Sequence, residues 1–128
     1  MKVDRLAASE LPECTPRNFD MVYICSPYTG DIEENTKRAI RYCRFAIDNG
    51  YMPVASHLLY PQMLDDNNPD ERKLGIIFGI KLLEKCREVW VFKNPGKELS
   101  LGMHKEVDAA KNRRIPIRYF TADMIEIC

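Results

Sequence analysis

The sequence predicts an α/β fold: one three-layer domain whose parallel sheet is covered by helices on both faces. Three observations carry this. Short apolar runs recur at residues 21–25, 51–55, 88–92 and 115–120, a pattern expected of buried strands. Stretches of helical length and period separate them, over residues 31–49, 71–86 and from Ser100 to about Asn112. The strict alternation of strand and helix then requires parallel pairing with right-handed crossovers.

The elements follow in order. Residues 1–20 show no period, and Pro12 and Pro16 break any element, so they read as an arm ahead of a single domain at 21–128. Met21-Val-Tyr-Ile-Cys25 is the first strand and ends in turn chemistry, Ser26-Pro-Tyr-Thr-Gly30. In the first helix Ile40, Cys43 and Ile47 recur at core spacing beside Ala39 and Ala46, with Lys37, Arg38, Arg41 and Arg44 opposite. Gly50 is a natural stop. Pro53 places the second strand at an edge or at a strand start. Asp65 to Asp70 is a polar break. The apolar residues of the next helix, Leu74 through Leu83, cover more than half its circumference and predict wide burial. Gly75 and Gly79 form a small-residue stripe on it, as close packing or a nearby ligand would require. Glu88-Val-Trp-Val-Phe92 and Ile115-Pro-Ile-Arg-Tyr-Phe120 complete the strands, and residues 121–128 read as a last helical turn.

Composition narrows the function classes. The chain has 128 residues, room for one core, and a formal net charge of zero. That balance argues against a nucleic-acid polymer as partner. No apolar run approaches the roughly 18 to 20 residues of a membrane span. Met-Lys-Val-Asp-Arg at the start lacks a signal-peptide core, so a cytoplasmic location is expected. The five cysteines, Cys14, Cys25, Cys43, Cys86 and Cys128, include no CxxC pair and read as free thiols of a reducing compartment. With two histidines out of ligand spacing, no metal is expected.

Chemistry is expected where the carboxyl ends of the strands meet, because open α/β sheets bind ligands there. Three loops converge on that edge and bring together Ser26, Tyr28, Asp31, His57, Tyr60, Ser100, Gly102 and Glu106. A helix starting near Ser100 offers free N–H groups and partial positive charge to an anion. Side chains lean toward a helix N-terminus, so Glu106 covers the turn holding Gly102 and Met103. A carboxylate there suits a nucleophile or base; equally, it is an ordinary acid favoured near a helix start. Ser100 reads as an N-cap or an anion ligand. His57 reads as a general acid or as a hydrogen-bonded histidine at the core edge. Tyr28 either lies over a sugar or base or packs on its loop.

Four segments in order, Ile24-Cys-Ser-Pro-Tyr-Thr-Gly30, Ser56-His57-Leu58, Glu88-Val-Trp-Val-Phe92 and Ser100-Leu-Gly-Met-His-Lys-Glu106, resemble the nucleoside 2-deoxyribosyltransferase superfamily. Within it they match the small bacterial and phage branch labelled domains of unknown function. The superfamily also holds the 2′-deoxynucleoside 5′-monophosphate N-glycosidases. The resemblance spans about Met21 to Phe120, and the Ser-x-Gly-x-x-x-Glu segment is its most specific part.

That resemblance implies a flavodoxin-like, Rossmann-like doubly wound sheet of four to five strands and no cofactor. It implies that Glu106 attacks the anomeric carbon of a nucleoside or nucleoside 5′-monophosphate, with Tyr28 near the sugar and Ser100 and Gly102 in the segment that holds the 5′-phosphate. Taken with the converging loops, His57 joins Glu106 and Tyr28 as a catalytic candidate, and Ser26, Pro27, Gly30, Asp31 and Met103 join Ser100 and Gly102 as substrate-binding candidates. A homo-oligomer is implied, a dimer by default.

One departure stands out. The family places an aspartate for the leaving base on the helix before the third strand, where this chain has Gly79 and Ile80. Retaining glycosyl chemistry needs a second carboxyl about 5 to 5.5 Å from the nucleophile. Asp31, Asp65, Asp66, His57 or a neighbouring subunit are the alternatives. A non-catalytic nucleotide- or nucleotide-sugar-binding module is the rival reading. A flavin binder is a third, weakened because no Ser- and Thr-rich phosphate loop follows the first strand.

Overall fold

A computed structural model describes residues 19–94 and 96–127. The expected arm therefore lies, but for its last two residues, outside the described residues, as do Cys14 and Cys128. The elements are β1 (Met21–Cys25), α1 (Ile32–Asp48), β2 (Met52–Val54), α2 (Pro69–Glu84), β3 (Glu88–Phe92), α3 (Leu101–Asn112), β4 (Ile117–Phe120) and β5 (Glu126–Ile127). Two single-turn 3₁₀ helices, Ser56–Leu58 and Tyr60–Gln62, lie between β2 and α2.

The sheet has the order β2-β1-β3-β4-β5. The first three pairings are parallel, and β4 pairs with β5 antiparallel. This is the flavodoxin-like, doubly wound arrangement. The order reverses between β1 and β3, because the chain moves outward to β2 and then back past β1. Such a switch point opens a crevice at the strands' carboxyl ends. Pro53 sits on β2, an edge strand, where its missing N–H is harmless.

Alternate residues of β1 and β3 feed two cores, one on each face of the sheet. Tyr23, Cys25, Val89 and Val91 face α2 and α3, against Leu83, Met103, Val107 and Ala110. Val22, Ile24, Trp90 and Phe92 face α1, against Tyr42 and Ala46. Strands buried on both faces cannot show polar alternation, which is why they read as apolar runs.

Three local expectations are corrected. On α1 the inward positions are Ala39, Tyr42 and Ala46, while Ile40 and Ile47 are 55% and 39% exposed. The helix is rotated by about one residue. The Tyr42 ring lies 4.1 Å from the Phe92 ring in a nearly parallel stack, and the alanines let the backbone come close. That aromatic contact outweighs the burial of two isoleucines.

On α2 only Gly79 and Leu83 are fully buried, and Leu74, Ile76, Ile77 and Phe78 are exposed. The expected wide burial fails because one stripe of α2 touches the sheet and α3 covers its neighbour. The helix also starts earlier than read, at Pro69, with the Asn68 side chain accepting from the N–H groups of Asp70 and Glu71. Finally, the expected last helical turn is β5. Glu126 binds Arg118 through both carboxylate oxygens across the β4–β5 ladder, at 2.8 and 2.9 Å.

Candidate active site

β1 enters the sheet with a tyrosine in an otherwise apolar run, and a buried tyrosine hydroxyl needs a partner. Tyr23 is fully buried and points toward α2 and α3. Its hydroxyl donates to Glu106 Oε2. It also lies 2.7 Å from Ser56 Oγ. Since the tyrosine proton is committed to Glu106, Ser56 is the donor in that second bond. The result is a buried chain, Ser56 to Tyr23 to Glu106, joining the end of β2, the middle of β1 and the second turn of α3.

Glu106 itself is 8% exposed, so the helix-surface alternative fails. Oε1 of the carboxyl is buried without a hydrogen-bond partner among the described residues. Burial raises its pKa from 4.5 to about 7, against the lowering effect of the Tyr23 hydroxyl and the Cys25 thiol. The same burial, with the Glu106 charge, pushes the Tyr23 hydroxyl and the Cys25 thiol well up, so both stay protonated. At neutral pH the carboxyl is thus poised between its two forms, with Oε2 held by Tyr23 and Oε1 buried without a partner among the described residues.

The start of α3 is built as a cap. Ser100 Oγ accepts from the Met103 N–H at 3.3 Å, and the Ser100 carbonyl takes the His104 N–H. Met103 is therefore committed: its N–H is capped and its side chain is buried in the core beside Cys25. Gly102 is exposed, and a Cβ there would meet nothing within 4 Å. Among the described residues the first-turn N–H groups of Leu101 and Gly102 have no acceptor, as expected at a helix start.

The β1 loop and the segment after β2 meet as expected. The Tyr28 and His57 rings stack with centroids 4.9 Å apart. Asp66 is the acid whose charge reaches both. Burial raises the Tyr28 hydroxyl, and Asp66 adds to it. Burial lowers the His57 imidazole, and Asp66 opposes the fall. Ser56, the residue before His57, ties this wall to the buried chain.

The remaining predicted residues have other placements. Asp31 caps α1, accepting from the Glu34 N–H at 3.1 Å. Gly30 supplies the positive φ of the preceding turn. The Asp65 side chain caps its own turn at the Asn67 N–H. Ser26 is buried at the end of β1. Pro27 lines a narrow cleft on the α1 side with Arg38, Tyr42 and Lys93. The Asn35 amide holds the loop by donating to the carbonyls of Tyr28 and Thr29.

Tyr23, Ser56 and Cys25 surround Glu106 although sequence reasoning does not pick them out as site residues. The one sequence signal was the hydroxyl of Tyr23 inside an apolar strand. Among the described residues no group of His, Cys, Asp and Glu has the arrangement to hold a metal, and no helix is long and apolar enough to cross a membrane.

The fold places the chain among doubly wound α/β proteins, with this buried carboxylate held against β1, beside which the strand order reverses. The chain belongs to the family described as a domain of unknown function (DUF7768), which matches residues 20–120. No curated protein matches it. Among solved structures it resembles a 2-deoxyribosyltransferase from the psychrotolerant bacterium Bacillus psychrosaccharolyticus. The TM-score is 0.61 at 12% identity, over 79% of this chain and 72% of that one. At that identity the likeness shows the fold.

Proposed function

We propose that this protein cleaves the N-glycosidic bond of a nucleoside or nucleoside 5′-monophosphate, as an N-glycosidase or deoxyribosyl transferase, with Glu106 as nucleophile. The observation that carries the reading is the half-held carboxyl. Tyr23 holds Oε2, and Oε1 is buried with no hydrogen-bond partner among the described residues. The fold shared with a 2-deoxyribosyltransferase supports it.

In the reaction, Oε1 forms a bond to the anomeric carbon as the carbon–nitrogen bond to the base breaks. The electron pair leaves with the base nitrogen, which takes up a proton. Water or a second base then attacks the same carbon and releases the Glu106 carboxylate. The Leu101 and Gly102 N–H groups seat the 5′-phosphate, with Ser100 and Met103 fixing their turn. Tyr28 lies against the sugar. His57 is kept neutral by burial, so it assists the leaving base through an N–H hydrogen bond, backed by Asp66. Ser26, Pro27, Gly30 and Asp31 shape the loop that carries Tyr28. No cofactor is assigned a step. The free thiols Cys25, Cys43 and Cys86 suit a reducing cytoplasm, and a homodimer is the assembly expected of this reading.

The test is nucleobase release from deoxynucleosides and their 5′-monophosphates by the full chain and by Glu106→Gln. Release by the wild type is expected, with a loss of at least a hundredfold in the variant. Undiminished release by Glu106→Gln sinks the nucleophile assignment.

One observation favours a second reading. Among the described groups, none of the influences on the Glu106 pKa is another carboxylate, and α2 offers Gly79 where the family's acid would stand. A module that binds nucleoside monophosphates without cleaving them fits that gap. Raised melting temperature with monophosphate but no base release identifies it.

A further inference from the structure

α2 approaches β1 at Gly79, and the reason is visible at the contact. A Cβ built on Gly79 would lie 3.3 Å from Ser56 Oγ and 3.3 Å from the Tyr23 hydroxyl. Both distances are tighter than ordinary carbon–oxygen contacts, so any side chain at 79 displaces one hydroxyl or the other. The glycine is buried in the middle of a helix, where it costs stability relative to alanine. The space it leaves is filled by the two hydroxyls that meet there.

We propose that Ser56, seated by Gly79, is a positioning residue for Glu106: its hydroxyl donates to Tyr23 and so fixes the Tyr23 proton on Oε2, leaving Oε1 as the reactive oxygen. The direction is forced while Glu106 is ionised. A carboxylate only accepts, so Tyr23 donates to it. Tyr23 has one proton, so its remaining bond must accept, and among the described residues Ser56 is the group placed to donate. Bonds in series polarise one another, so the Ser56 donation strengthens the Tyr23 bond to the carboxylate. Without Ser56 the Tyr23 hydroxyl still donates to Oε2, but as a weaker, unpolarised donor.

Among the described residues, the polar groups that act on Glu106 are the Tyr23 hydroxyl and the Cys25 thiol of β1. Uncharged Ser56 acts through Tyr23. α2 meets this chain at Gly79, against Ser56 and Tyr23. None of them carries a charge at neutral pH, so a change in the carboxyl's titration reports on this hydrogen-bonded chain.

The inference rests on the proposed role of Glu106 for its catalytic meaning, but its test does not require activity. The experiment follows the Glu106 carboxyl carbon by NMR in protein labelled with ¹³C-carboxyl glutamate, its signal identified by loss in Glu106→Gln. In the wild type the midpoint is expected at about 7. Ser56→Ala is expected to raise it by roughly half a unit to one unit. Gly79→Ala removes no polar atom yet is expected to move the midpoint in the same direction. An unchanged midpoint in Ser56→Ala overturns the proposal whatever happens to stability, since a merely structural serine would lower the melting temperature alone. If Ser56→Ala does not fold, an unchanged midpoint in Gly79→Ala overturns it instead. Shifted midpoints in a protein that releases no nucleobase uphold this inference and refute the glycosidase reading.

Discussion

At the scale of single residues, Glu106 sets a pH dependence whose sign follows from its burial. The unfolded chain releases this proton near 4.5 and the native chain near 7. Between those values the native state binds more protons, so stability falls as pH rises across the window and levels off above it. The contribution is fully present below about pH 4.5 and gone above about pH 7, a loss on the order of 3 kcal/mol. Glu106→Gln keeps the shape and removes the titration. The variant should therefore gain on the wild type from pH 4.5 to pH 8, read as the difference in urea midpoint at several pH values. A difference that does not grow with pH contradicts a raised native pKa. That so exposed-looking a position is buried was hidden in the sequence, where Glu106 stands between Lys105 and Val107. Its helical neighbours Met103, Ala109 and Ala110 are buried in the core, and the Tyr23 hydroxyl holds the carboxyl among them.

At the scale of elements, α1 and α3 each separate a legible feature from an illegible one. The period of α1 was readable, but two stripes one residue apart both satisfy it. One holds Ile40 and Ile47, the other Ala39, Tyr42 and Ala46, and only the Phe92 ring on the partner strand chooses between them. Tyr42→Ala should then cost about 3 to 5 kcal/mol, while Ile40→Ala stays within about 0.5 kcal/mol. Equal costs by denaturant unfolding would restore the isoleucine face. On α3 the cap was readable from Ser100, and the structure shows the cap and the open N–H groups side by side. Ser100→Ala should cost about 1 kcal/mol of stability. Gly102→Ala meets no neighbour and should leave stability unchanged or slightly higher. If a phosphate approaches the backbone here, the same methyl should weaken nucleoside monophosphate binding at least tenfold by calorimetry. Unaltered affinity would place the anion elsewhere.

At the scale of the whole molecule, the doubly wound sheet was legible because strands buried on both faces can only be apolar runs separated by helices. The unequal cover of its two faces was not. Among the described elements α2 and α3 share one face and α1 covers the other, and the sequence does not state how far a helix reaches across a sheet. Beyond α1 the open end over β3 and β4 is closed by Arg118. Its guanidinium lies 4.9 Å from the Trp90 ring centroid and 5.4 Å from that of Phe120. Glu126 holds it from β5, and Glu88 stands 3.6 Å away on β3. This explains why β5 replaces the expected helical turn: a two-residue strand brings Glu126 to Arg118, and a helix would not. The cover is both apolar and ionic, and the two parts can be separated. Arg118→Met keeps the apolar reach over Trp90 and loses the ion pairs, while Arg118→Ala loses both. Ion pairs this exposed contribute little, about 0 to 1 kcal/mol, and the stacked stem and cation–π contact about as much again. Arg118→Ala should therefore destabilise by about 1 to 2 kcal/mol and Arg118→Met, which keeps only the apolar stem, by about half to three-quarters of that, measured by urea unfolding. Hydrogen exchange should quicken at β5 in both. If Arg118→Met costs as much as Arg118→Ala, the pairing with Glu126 and Glu88, rather than the cover over Trp90, is what closes this face.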